Sequence, residues 1–282
     1  MTRRKPFGER LHAAIDARGR LCVGIDPHPP LLRAWGLADD AAGVREFSLR
    51  VVEALGGRVA VFKPQSAFYE RHGSAGVAAL EETIAAARAA DTLTLVDAKR
   101  GDIDSTMRAY ADAYLADGSP LAGDAVTISP YLGFASLAPA VETALESGRG
   151  VFVLALTSNP EGGTVQRAQA DGTTVAASMA RAAARLNAAE VADGAPLGSV
   201  GLVVGATVPD LPDDVDLADV RGPLLAPGYG AQGARGAQLR ALFGDAWGAV
   251  LPSTSREVLA AGPDAAGLRA AADSALADVT AA

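Results

Sequence analysis

The chain has a single cysteine, Cys22, so no intrachain disulfide is available; its place in an apolar run suits a small buried hydrophobe. Aromatic residues make up only 5% of the sequence, and neither Trp35 nor Trp247 has basic residues interleaved with it, which argues for packing and against base-stacking platforms. Apolar runs such as residues 151–156 are far too short to span a bilayer. The basic start, Thr2-Arg3-Arg4-Lys5-Pro6, is followed by no apolar segment, so a secretory signal is not expected and a soluble cytoplasmic protein is. A net charge of −8 argues against a general nucleic-acid or anionic-membrane surface, though cations focused in a cleft can still hold an anionic ligand. There are three histidines. His12 and His72 read as solvated helix or loop residues. His28 with Asp26 could in principle hold a metal, but no Cys/His cluster or second acidic pair supports one, so no metal or cofactor is expected.

What is present is a large apolar fraction, 49%, arranged in short continuous runs. Eight of them read as strands: 21–26, 59–64, 92–99, 125–129, 150–158, 200–207, 223–228 and 248–252. Their uninterrupted apolar character, without alternation, fits a parallel sheet covered on both sides. Alanine-rich stretches at 76–90, 134–147 and 173–191 separate them and favour helix. Residues 193–199 and 209–219 read as loops or a poor helix, and 158–171 reads as a long loop after the fifth strand. Eight strands alternating with helices in 282 residues predict an α/β chain folded as one TIM (β/α)8 barrel domain. The competing doubly wound sheet lacks the glycine fingerprint of a dinucleotide fold after any strand.

The most informative segment is Asp97-Ala98-Lys99-Arg100-Gly101-Asp102. Side chains alternate along a strand, so Asp97 and Lys99 point the same way at its carboxyl end. Gly101 permits a sharp turn, with Asp102 expected where a helix begins. Flanking aspartates favour the charged form of Lys99, which points to a proton donor or electrostatic group and away from an amine nucleophile. Asp26 and Lys63 end the first two strands, and in a barrel all these ends open onto one face. An Asp–Lys–Asp–Lys network satisfies its own charges; the bland alternative is a surface salt-bridge cluster.

The opposite side of the barrel suits phosphate. Gly228, Gly230 and Gln232 lie in the glycine-rich stretch after the seventh strand, and Ser255 and Arg256 follow the eighth. Glycines let backbone N–H groups approach an anion, while hydroxyls and a guanidinium meet a helix start. A Gly-x-Gly alone is weak, because glycine turns are common.

These motifs resemble the orotidine 5′-phosphate decarboxylase family, specifically the branch found in mycobacteria and related bacteria. The resemblance runs from Gly24-Ile25-Asp26-Pro27 through Phe62-Lys63-Pro64 and Asp97-Ala98-Lys99-Arg100-Gly101-Asp102-Ile103 to Pro227-Gly228-Tyr229-Gly230-Ala231-Gln232-Gly233. It implies a cofactor-free TIM-barrel homodimer that converts orotidine 5′-phosphate to UMP and carbon dioxide. By the same resemblance Lys99 protonates C6 of the pyrimidine and Asp97 sits near the departing carboxylate. Lys63 and Asp26 hold the ribose hydroxyls, and Asp102, Ile103 and Thr106 reach into the partner's site. Ser158 contacts the pyrimidine, and Gln232 and Arg256 bind the phosphate. Two departures stand out: Ser255 replaces the glycine that the main branch carries before the phosphate arginine, and the loop after the fifth strand differs. Alternatives are a metal-dependent sibling, against which Lys63 argues, and a non-catalytic UMP-sensing barrel, which would not need Lys63, Asp97, Lys99 and Asp102 together.

Overall fold

The computed structural model describes residues 4–282; Thr2 and Arg3 of the basic start lie outside the described residues. Eight parallel strands close into a barrel: β1 (Cys22–Ile25), β2 (Val61–Pro64), β3 (Leu93–Arg100), β4 (Ala125–Ile128), β5 (Gly150–Leu156), β6 (Val200–Val204), β7 (Leu224–Pro227) and β8 (Val250–Thr254). Each pairs with its sequence neighbours, and β8 returns to β1 through Cys22↔Ser253 and Val23↔Thr254. The TIM barrel read from the apolar runs is the observed fold.

Strand period two arranges the interior. Cys22, Val61, Leu95, Ala125, Phe152, Val203, Leu225 and Leu251 form one buried cluster. Phe7 and Leu11 of the helix Phe7–Arg18 join it, and Phe7 meets Phe152 edge-on with ring centroids 5.9 Å apart. An apolar plug therefore fills the amino-terminal half of the barrel. Two residues further along β2, β3 and β4 the same face carries Lys63, Asp97 and Thr127, so the interior turns polar towards the carboxyl ends. The larger core lies between the outer strand faces and the helices, where Trp35 packs on Phe47 at 4.1 Å; Trp247 is also buried there.

Several boundaries differ from the sequence reading. The segment 200–207 leaves the sheet after Val204, and the eighth strand runs later than expected, because Gly244–Ala249 forms a 3-10 helix. Residues 134–147 split into a 3-10 turn, Phe134–Leu137, and an α-helix, Ala138–Ser147, with Pro139 in its first turn, where its missing N–H costs nothing. The expected helix 173–191 is Val175–Ala192; Thr174 caps it by accepting the Ala177 N–H at 3.1 Å. The loop 158–171 carries more structure than expected: a 3-10 turn, a helical turn at Gly163–Gln166, and a strand Gln169–Ala170 paired with Thr173–Thr174. His72 is not solvated; its side chain is mostly buried, with Nε2 enclosed 3.9 Å from an Asp39 oxygen, because the segment before helix Ala41–Leu55 folds over it.

Candidate active site

The carboxyl ends of the strands hold two cavities, of about 440 and 310 Å³, that share Asp97, Pro227 and Gln232. Asp26, His28, Lys63, Gly228, Ser255 and Arg256 line the larger, while Lys99, Thr127 and Ser158 line the smaller. A bigger groove of about 740 Å³ lies along Ala206–Leu211 and Gln232–Leu242, but Asp210 is its one ionisable lining residue. The charged chemistry is in the barrel mouth.

There Asp97 is the hub. Lys63 Nζ donates to its Oδ2 at 3.0 Å, and Lys99 Nζ donates to Oδ1 at 2.6 Å. The Thr127 hydroxyl also donates to Oδ1, at 2.8 Å. Burial alone would push the Asp97 carboxyl up; the Lys63 and Lys99 ammoniums outweigh it and hold the group well below the usual carboxylate range. Burial would likewise strip Lys63 of its proton, but Asp97 and Asp26 reverse this and push it above the usual lysine range. Asp97 thus adds stability above its unfolded value of about pH 3.9, lost as pH falls through its lower folded value. Lys63 adds stability below about pH 10.4, lost as pH rises through its higher folded value. Across neutral pH the pair is ionised and the two effects coexist.

Lys99 differs from Lys63 in exposure. Its side chain is 45% accessible against 7%, so a permanently charged base layer carries one ammonium open to the cavity. Below them Cys22 is fully enclosed, and burial pushes its thiol up to about 12. In the larger cavity, Asp26 Oδ1 is buried with no hydrogen-bond partner, an acceptor a ligand hydroxyl would satisfy. His28 rests against Phe68 at 4.1 Å, and burial lowers its pKa. Asp26 and His28 share the cavity, yet no group of three metal-ligating side chains occurs among the described residues.

The glycine-rich loop after β7 takes a conformation closed to most side chains, with φ of +105° at Gly228, +79° at Gly230 and +102° at Gly233. Its position is fixed by Tyr229, whose hydroxyl donates to Asp278 at 2.8 Å, and by Arg235, which donates to Glu257 at 2.8 Å. Gly228 and Gln232 line the cavity, whereas Gly230 shapes the loop without forming wall. Ser255 Oγ is buried and unpartnered, and Arg256 is exposed beside it.

Three expected residues are not brought in. Asp102, Ile103 and Thr106 lie outside both cavities of their own chain. The helix starts at Asp104 and not at Asp102, whose Oδ1 accepts the Ile103 N–H at 2.8 Å, so within one chain the hydrogen-bonded charges are Lys63, Asp97 and Lys99. Gly101 explains the divergence: a Cβ there would lie 2.3 Å from the Ser129 carbonyl oxygen, so the chain hugs β4 and then turns outward. The sequence marks Thr127 only as a strand residue; its place two residues beyond the inward Ala125 is the signal that points it into the barrel.

The sequence pattern of the "Orotidine 5'-phosphate decarboxylase / HUMPS family" matches residues 19–271. A relative from Salinispora arenicola, named orotidine 5′-phosphate decarboxylase, is 62% identical over 277 residues, 98% of each chain. A crystal structure from Streptomyces avermitilis, provisionally described as an orotidine 5′-phosphate decarboxylase, superposes with a TM-score of 0.94 at 59% identity, covering 99% of this chain and 96% of that one. The structure of Leishmania donovani OMP decarboxylase gives 0.76 at 32% identity, with 98% of each chain covered.

Proposed function

Because the chain belongs to the orotidine 5′-phosphate decarboxylase / HUMPS family, we propose that it converts orotidine 5′-phosphate to UMP and carbon dioxide through the Lys63–Asp97–Lys99 array, without metal or organic cofactor. The activity is that of a carboxy-lyase of pyrimidine biosynthesis. The observation that carries the mechanism is one cavity-facing ammonium, Lys99, held by a buried and charge-balanced carboxylate.

Breaking the C6–carboxylate bond leaves an electron pair in the plane of the pyrimidine, where the ring π-system cannot absorb it. A preorganised cation beside C6 stabilises that pair as it develops, and Lys99 supplies it. Lys99 then transfers a proton to C6 to give UMP, and the lysine regains its proton from water. Asp97 faces the departing carboxylate and orients both ammoniums. Lys63 and Asp26 take the ribose hydroxyls, and Ser158 meets the pyrimidine in the smaller cavity. Gln232, Ser255, Arg256 and the backbone at Gly228 receive the phosphate, in a loop whose turn Gly230 shapes. Asp102, Ile103 and Thr106 complete the site of a second copy in a two-fold homodimer; this reading is supported by their place outside their own cavities and by the exposed apolar residues Ile103, Tyr131 and Leu132. Among the described residues no helix is long and apolar enough to cross a membrane. We place the enzyme in the cytoplasm.

Mixing the purified protein with orotidine 5′-phosphate after exhaustive chelation should deplete the substrate's ultraviolet absorbance and yield UMP. Turnover that returned only on adding Mg²⁺ would favour a metal-dependent relative. Arg256→Ala should lower kcat/KM for the phosphorylated substrate by about 100-fold, the worth of a charge-assisted bidentate contact. The bare nucleoside should change by less than about threefold, since remote phosphate binding assists the barrier only when phosphate is present. Equal losses on both substrates would remove Arg256 from the phosphate site.

A further inference from the structure

We propose that Thr127 is a positioning residue that aims Lys99, a role that rests on Lys99 serving the decarboxylation described above. The observation is a register shift: Val96 pairs with Val126, but the next pair is Arg100 with Ile128. Four steps along β3 thus face two along β4, a bulge containing Asp97, Ala98 and Lys99. Bulges re-aim side chains and leave backbone groups unpaired. Lys99 also has φ +47°, the left-handed region that a lysine enters only under constraint.

Thr127 supplies that constraint. Its side chain replaces the missing strand partner, because the Lys99 N–H donates to Thr127 Oγ1 at 3.0 Å. A hydroxyl has one proton, and with a lone pair taken by that N–H the proton is free to donate to Asp97 Oδ1. The same Oδ1 receives the Lys99 ammonium. One buried hydroxyl, 1% exposed, therefore holds both ends of Lys99, its backbone directly and its ammonium through the shared carboxylate oxygen. Valine has nearly the same shape and can do neither; serine can do both.

The test compares Thr127→Val, Thr127→Ser and the unmodified enzyme. Thr127→Val should lose about 10- to 100-fold in kcat, the scale of a reacting group displaced by about an ångström. KM for orotidine 5′-phosphate and the affinity for UMP should stay within about threefold, because the ribose and phosphate contacts are untouched. Thr127→Ser should keep kcat within about threefold. A crystal structure of Thr127→Val should show Lys99 out of the left-handed region or its ammonium away from Asp97. A kcat loss smaller than about tenfold, a serine variant as impaired as valine, a loss confined to KM, or an undisturbed Lys99 would each overturn the proposal. If Thr127→Val does not fold, the smaller Thr127→Ala carries the same expectations. Inactivity of the unmodified protein would instead strike at the decarboxylase mechanism, while the position of Lys99 in the variant crystal would still decide the role of Thr127.

Discussion

Lys99→Ala should lose at least about 10⁴-fold in turnover while keeping its fold. A preorganised group stabilising developing charge contributes about 10²–10³ in rate, and a positioned proton donor about 10²–10⁴. Lys99 is assigned both roles, so its removal combines the two losses. The fold should survive because Lys99 is half exposed, and Asp97 keeps Lys63 at 3.0 Å and Thr127 at 2.8 Å when it is gone. The buried charge pair therefore stays compensated, unlike the case in which one partner of an isolated pair is deleted. Steady-state decarboxylation and circular dichroism on the same preparation read the two halves of the expectation. Retention of more than about 1% of turnover would show that another group stabilises and protonates C6.

The second large effect is a recovery. Lys99→Ala and Asp102→Ala homodimers should each be nearly inactive if every site combines Lys99 of one subunit with Asp102 of the other. Refolded together in equal amounts, they should form about half heterodimers by random pairing. One of the two sites in each heterodimer then has both native residues, so 1/2 × 1/2 restores roughly a quarter of normal activity. The motive is geometric: Asp102 follows the strand that carries Lys99 but turns away at Gly101 and lies outside its own chain's cavities. Purified heterodimers with no recovered turnover would assign Asp102 to its own subunit's site or to none.

Much of the active-site layer was legible without coordinates. Asp97 was readable as facing the barrel mouth because strand alternation is a local property of the backbone; Lys99 reaches the same mouth, but through the bulge and its left-handed backbone. Lys63 and Asp26 followed from the same rule at the ends of neighbouring strands, and all four line the cavities of the barrel mouth. Asp102 was not readable in this way. Its distance from Asp97 along the chain is short, but the close approach of Gly101 to Ser129 decides its direction, and that contact belongs to another strand. His72 failed for a similar reason: a polar residue between helical segments reads as solvated until a distant segment, here the one ending at Asp39, covers it.

Eight continuous apolar runs alternating with helical stretches, none followed by a dinucleotide-type glycine fingerprint, are enough to read the barrel from the chain, and strand alternation shows which face turns polar at the carboxyl ends. Both follow from period two and from burial, which act within a few residues of each position. Strand register is a different matter. The shift between β3 and β4, which places Lys99 in a left-handed conformation and hands its N–H to Thr127, arises from the pairing of two strands about thirty residues apart. Register is a relation between segments, set by their common packing in the closed barrel, and no single stretch of chain carries it.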